Sequence, residues 1–144
     1  MPGNTVTILL VEDDEVDAEA IDRAFKKARI ANPIILAKDG IEAIEILRGS
    51  KSQLKLENPF LILLDLNMPR MNGIEFLEEI RSDESLNKSI VFVLTTSEDD
   101  RDILTAYDKH VAGYMVKSRA GEDFLELINM LEHYWRIIEF PPGL

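Results

Sequence analysis

The 144-residue sequence has no cysteine, which excludes a disulfide framework and any thiolate metal site. It has only two histidines, His110 and His133, each isolated in a polar or helical context and read here as structural. No stretch approaches the roughly 20 apolar residues of a membrane span, and no apolar leader precedes a cleavage site, so a cytoplasmic location is expected. Basic residues are the minority charge: 16 Lys and Arg stand against 27 Asp and Glu, for a formal charge of -11. That balance argues against nucleic acid or an anionic membrane as partner and leaves proteins or cations. At 46% hydrophobic and 30% charged, the composition is ordinary for a globular protein. The length suits one domain, residues 1–144, with a core of about 6–138, a short tail at 139–144 and no output domain expected.

What the chain does have is strict alternation. Short apolar runs at Val6 to Val11, Pro33 to Ala37, Phe60 to Leu64, Ile90 to Leu94 and Gly113 to Val116 read as strands. Between them lie helical patterns, the first from Glu15 to about Arg29 with Val16, Ala20, Ile21, Ala24, Phe25 and Ala28 inward. A turn at Asp39-Gly40 precedes a second helix, Ile41 to Leu47, and Gly49 to Asn58 reads as a polar loop. The third helix runs from Asn72 or Gly73 to about Ser82 with Ile74, Leu77 and Ile80 inward, and the fourth from near Glu98 to about Lys109. A last helix opens at Arg119 or Ala120 and extends to Ile138. Five strand-helix pairs without repeats imply an α/β, doubly wound parallel sheet.

In such a sheet every strand ends on one rim, where ligands bind. The first strand ends in Glu12 and Asp13, the third in Asp65, the fourth in Thr95 and the fifth in Lys117. Alone, Asp65 reads as a turn or helix-cap aspartate, and the acidic run from Glu12 to Glu15 as a solvated helix start. Together they bring three carboxylates, a hydroxyl and an ammonium to one rim, a set that disfavours the apo state unless a cation binds. Oxygen ligands suit Mg²⁺, with Asp13 and Asp65 direct and Glu12 through water; Mn²⁺ or Ca²⁺ is able to substitute. Lys117 supplies a fixed positive charge for a phosphoryl group, Thr95 a hydrogen-bond donor, and Asp65 a nucleophile.

The segments VEDD, DLNMPRMNG, LTTS and GYMVKS resemble the four signature segments of the two-component response-regulator receiver domain, a CheY-like family, over roughly Val6 to Ile138. The resemblance implies a flavodoxin-like (βα)5 fold with five parallel strands in the order 2-1-3-4-5. It implies that Asp65 accepts a phosphoryl group from a sensor histidine kinase, and that the main-chain carbonyl of Asn67 is a further Mg²⁺ ligand. Thr95 and Tyr114 become the switch pair, while Asn67 and Ser97 occupy positions that tune the lifetime of the phosphoryl group. It also implies a phosphoryl acceptor with at most slow autodephosphorylation, not an enzyme. Where the family usually has proline in a cis peptide after the lysine, this chain has Ser118. A cis bond there costs ~2.5 to 4 kcal/mol, so the turn is trans or strained. The Lys-Ser pair, the Thr-Thr-Ser run and the long last helix look most like small regulators of phytochrome photoreceptor kinases.

The expected output is a conformational change of the face formed by helix 4, strand 5 and helix 5, read by a downstream protein or a phosphotransfer protein. On the last helix Phe124, Ile128, Leu131, Trp135 and Ile138 make one apolar stripe. Leu127, Met130, Tyr134 and Ile137 make a second, which with the tail residue Phe140 is a candidate homodimer contact. Met68 and Met71 read as loop packing. Two rivals stand beside this reading: a receiver that binds its partner without being phosphorylated, and a phosphatase of the haloacid dehalogenase type. The second needs an acid-base aspartate two residues after the nucleophile, where this chain has Asn67.

Overall fold

Branched and aromatic residues dominate the apolar runs, and each run is stopped by a polar or helix-capping residue that sets the next element. In the computed structural model, which describes residues 6–49, 56, 59–119 and 124–142, these runs become β1 (Thr7–Val11), β2 (Ile34–Ala37), β3 (Phe60–Leu64), β4 (Ile90–Thr95) and β5 (Gly113–Val116). The helices are α1 (Glu15–Lys27), α2 (Gly40–Leu47), α3 (Gly73–Arg81), α4 (Asp100–Asp108) and α5 (Leu125–Ile137). All strands are parallel in one sheet of order β2-β1-β3-β4-β5.

Alternate side chains of the central strands feed two cores. Ile8, Leu10, Leu61, Leu63, Phe92 and Leu94 face α1 and α5, where Phe25 stacks on Trp135 with centroids 6.2 Å apart. Leu9, Val11, Ile62, Leu64, Val91 and Val93 face Ala43, Ile46, Phe76, Leu77, Ile80 and Ala106 of α2, α3 and α4. Burial on both faces explains why these strands read as unbroken apolar runs rather than alternating ones.

The caps explain where helices begin. Asp14, Asp39, Asn72 and Asp99 cap α1, α2, α3 and α4, each accepting from a main-chain N–H of the first turn. The fourth helix therefore starts at Asp100, not Glu98, and Gly40 belongs to α2 rather than to a turn. At the other ends, α1 and α4 stop in left-handed residues, Arg29 (φ 59°) and His110 (φ 63°). Ile30 and Val111 then donate back to Phe25 and Ala106.

Two expectations about helices fail. Val16 is 72% exposed, because Ile21, Ala24 and Phe25 fix the inward face of α1 and Ala18 continues it, and Ala28, also expected inward, is exposed as the C-cap beyond the last helical residue. A residue five places before Ile21 lies about 140° around the helix. The last helix begins at Leu125, since Lys117–Arg119 forms a 3₁₀ turn and Phe124 is left-handed (φ 61°). Its expected start at Ala120, and most of the polar loop at 49–58, lie outside the described residues.

Candidate functional site

The rim is assembled by register. Val11 pairs with Leu64, so the residues that follow, Glu12 and Asp65, emerge side by side where the strand order reverses. The ladder continues one step further on each: the Glu12 N–H donates to Ala37 O at 2.9 Å, and the Asp65 N–H to Val11 O at 3.0 Å. Held by these bonds, Glu12 is 2% and Asp65 6% exposed, while Asp13, one residue later, is at the surface. Carboxylate oxygens of Glu12, Asp13 and Asp65 lie within 4.8 Å of one another.

Lys117 follows directly on β5, and its side chain reaches past the end of β4, where Thr95 is fully buried. Its Nζ lies 2.7 Å from Asp17 Oδ2, 2.9 Å from Glu12 Oε1 and 3.4 Å from Asp65 Oδ2. Burial pushes the Glu12 carboxyl well above the usual range, to about 8, against the hydrogen bond from Lys117; the neighbouring Asp65 charge adds to the rise. For Lys117 burial works downward, but the hydrogen bonds to Asp17 and Glu12 and the nearby carboxylate charges outweigh it and raise the ammonium's pKa. Lys117 is therefore charged at neutral pH.

Around Asp65 the loop is pinned. The Asn67 N–H donates to Asp65 Oδ1 at 3.2 Å, and the Asn67 side chain is exposed. Arg70 is left-handed (φ 61°), and its Nε donates to Asp39 Oδ2 at 2.7 Å. A Cβ on Gly73 would sit 2.7 Å from Asp65 O, so only glycine lets α3 start this close beneath the acid. Met68 and Met71 pack against the core, as expected.

On the other flank, Ser97 N–H approaches Thr95 Oγ1 at 3.5 Å, and Ser97 Oγ donates to Asp102 Oδ2 at 2.6 Å. The Tyr114 hydroxyl donates to the Ser97 carbonyl at 2.9 Å, tying β5 to the loop before α4, and burial raises its pKa. Ser118 is exposed in the 3₁₀ turn. His110 terminates α4 and His133 faces solvent, its Nδ1 3.0 Å from Asn129 O, which supports a structural role for both.

Sequence reading missed two participants, Asp17 and Asp102. Asp17 and Asp102 sit in the first turns of α1 and α4, where an acidic residue reads as an ordinary solvated helix start, so nothing in their residue type marks them. The second stripe on α5 needs correction as well. Leu127 is 3% exposed and belongs to the core, Tyr134 sits edge-on to Phe92 at 4.9 Å, and Phe140 packs on the same cluster. Only Met130 (38%) and Ile137 (83%) face outward, because α5 buries a wide apolar arc between the sheet and α1.

A doubly wound sheet that collects three carboxylates and one ammonium at its switch point defines an α/β domain whose rim carries an acidic cluster suited to a divalent cation. The particular family follows from comparison: the sequence matches the response regulator receiver domain over residues 8–129, and the chain belongs to that family as a receiver of two-component signalling. It is similar to the response regulator Rcp1 of Synechocystis sp., at 36% identity over 89% of this chain and 87% of the relative. The crystal structure of Mn²⁺-bound Rcp1 superposes with a TM-score of 0.82 at 34% identity, covering 95% of this chain and 99% of that one. The phosphorylated cyanobacterial phytochrome response regulator RcpA gives 0.84 at 35% identity, with the same coverage. Among the described residues no helix is long and apolar enough to cross a membrane.

Proposed function

We propose that Asp65 accepts a phosphoryl group from a sensor histidine kinase in a Mg²⁺-dependent reaction, and that the kinase is of the phytochrome type. The observation that carries this reading is the buried Asp65 carboxylate, with Glu12 and Asp13 oxygens within 4.8 Å and Lys117 Nζ at 3.4 Å. The donor set fits Mg²⁺: hard oxygens only, with Asp13 and Asp65 as direct ligands, Glu12 through water and the Asn67 carbonyl as a further ligand. When bound, the cation offsets the excess carboxylate charge and polarises the phosphoryl oxygens.

An Asp65 carboxylate oxygen attacks phosphorus as the phosphorus–nitrogen bond of the phosphohistidine breaks, and the imidazole nitrogen keeps that electron pair. Lys117 balances charge on the transferring oxygens, and the Thr95 hydroxyl donates to one of them. Tyr114 then exchanges its bond to the Ser97 carbonyl for an inward position. Two or three charge-assisted hydrogen bonds of roughly 1.5 to 3 kcal/mol each supply the ~5.5 kcal/mol needed to move a two-state protein from 1:99 to 99:1. Asn67 and Ser97 border the group and set its lifetime. The changed face of α4, β5 and α5 is read by a protein partner or by a second copy, with Met130 and Ile137 outward and Tyr134 and Phe140 beside them. The resemblance to RcpA supports the phytochrome pathway.

Transfer of labelled phosphoryl from a purified phytochrome-type histidine kinase to this chain, at one group per chain and absent in Asp65→Asn, is the expected result. Repeated turnover of a phosphomonoester would contradict it in favour of a phosphatase.

A further inference from the structure

An ammonium has three N–H donors, and around Lys117 stand three carboxylates, Asp17 at 2.7 Å, Glu12 at 2.9 Å and Asp65 at 3.4 Å. The shortest contact comes from a residue on no strand end: Asp17, in the first turn of α1. Lys117 carries a long, flexible stem, so its position is decided by what holds its head group. Glu12 comes from just past the end of β1 and Asp17 from α1, two directions that together fix the ammonium. The remaining N–H is left for Asp65, whose contact is the longest and the easiest to exchange.

We propose that Asp17 is a positioning residue for phosphoryl acceptance: with Glu12 it anchors Lys117 so that the third N–H points where a phosphoryl oxygen on Asp65 will lie. This rests on the reading of Asp65 as the acceptor. The opposite sign follows if Asp17 acts only as a negative charge, since one more carboxylate beside the site repels an incoming phosphoryl group and attracts the cation. Removing it would then speed phosphorylation and weaken cation binding.

The test compares phosphorylation rates by intact mass, at saturating Mg²⁺ and a small acyl phosphate donor, for the native chain, Asp17→Asn and Asp17→Ala. Each is also measured in a Lys117→Ala background. Expected are a roughly tenfold slower Asp17→Ala, partial recovery in Asp17→Asn, which keeps an acceptor oxygen, and no further loss from either change once Lys117 is gone. The half-saturating Mg²⁺ concentration should move less than about threefold. A native-like or faster Asp17→Ala, or equal slowing in the Lys117→Ala background, overturns the positioning role while native phosphorylation stands. No adduct on the native chain overturns this inference together with the acceptor role of Asp65.

Discussion

Two cations are drawn into this fold from opposite edges of the sheet. Lys117, at the C-terminal edge, is 10% exposed and surrounded by the carboxylates of Glu12, Asp17 and Asp65. Arg81, at the end of α3, sits at the edge where β4 and β5 begin. Its Nε donates to Lys109 O at 2.7 Å, Nη1 to Asn87 O and Ser89 O at 2.9 and 2.8 Å, and Nη2 to His110 O at 3.0 Å. Main-chain carbonyls are fixed by the backbone and have no second charge state, so Arg81 is a clamp. Carboxylates can bind a cation or carry a phosphoryl group, so the bonds of Lys117 can be redistributed without unfolding anything. What separates the two cations is the kind of oxygen each faces, not burial, and on the proposed function that difference makes Lys117 the working one.

Substitutions sharpen that contrast. The largest effect should come from Lys117→Ala, which removes the positive charge beside Asp65 and should slow phosphorylation by roughly 10²- to 10³-fold. Mg²⁺ should stabilise this variant against urea more than it stabilises the native chain, because its carboxylates have lost their internal counter-ion. Arg81→Ala should do the reverse. Several carbonyls lose a charged donor at once, so stability should fall by roughly 2 to 4 kcal/mol in urea unfolding, with the phosphorylation rate of the folded fraction unchanged. Equal loss of phosphorylation in both variants would break the comparison.

The smallest effect belongs to a pair that mixes both kinds, Arg70 and Asp39. Burial alone would raise the Asp39 carboxyl, but hydrogen bonds from Arg70 and the Glu42 N–H, with the Arg70 charge, bring it below the usual carboxylate range. A lowered folded-state value means stabilisation that is complete above the unfolded value of about 4 and disappears as pH falls through the folded one. Asp39→Asn keeps the helix cap and removes the charge. It should cost about 1 kcal/mol or less at pH 6, since Arg70 is largely exposed, and the gap to the native chain should close below about pH 4. A gap that persists into acid would mean that shape, not charge, pins this loop.

The asymmetry between the two cations also governs what the sequence disclosed. Glu12, Asp65, Thr95 and Lys117 each come directly after or at the end of an apolar strand, so position in the pattern and position on the rim are the same information. Arg81 has carbonyl partners that leave no mark on residue type. Asp17 and Asp102 depend on how a helix is rotated about its axis, which their neighbours' polarity does not fix. The same weakness put Val16 inside and Leu127 outside: two adjacent apolar rows on a helix do not say which one the sheet will take. Helix ends were misplaced where capping decided them, at Asp99 and at left-handed Phe124.

The most direct test is intact mass after incubation with Mg²⁺ and a small acyl phosphate, on the native chain and on Asp65→Asn. One added phosphoryl group on the native chain, absent in the variant and absent without the cation, is the predicted result. No adduct on a native chain shown to bind Mg²⁺, with a donor that phosphorylates another receiver in parallel, would contradict the claim that this rim accepts a phosphoryl group.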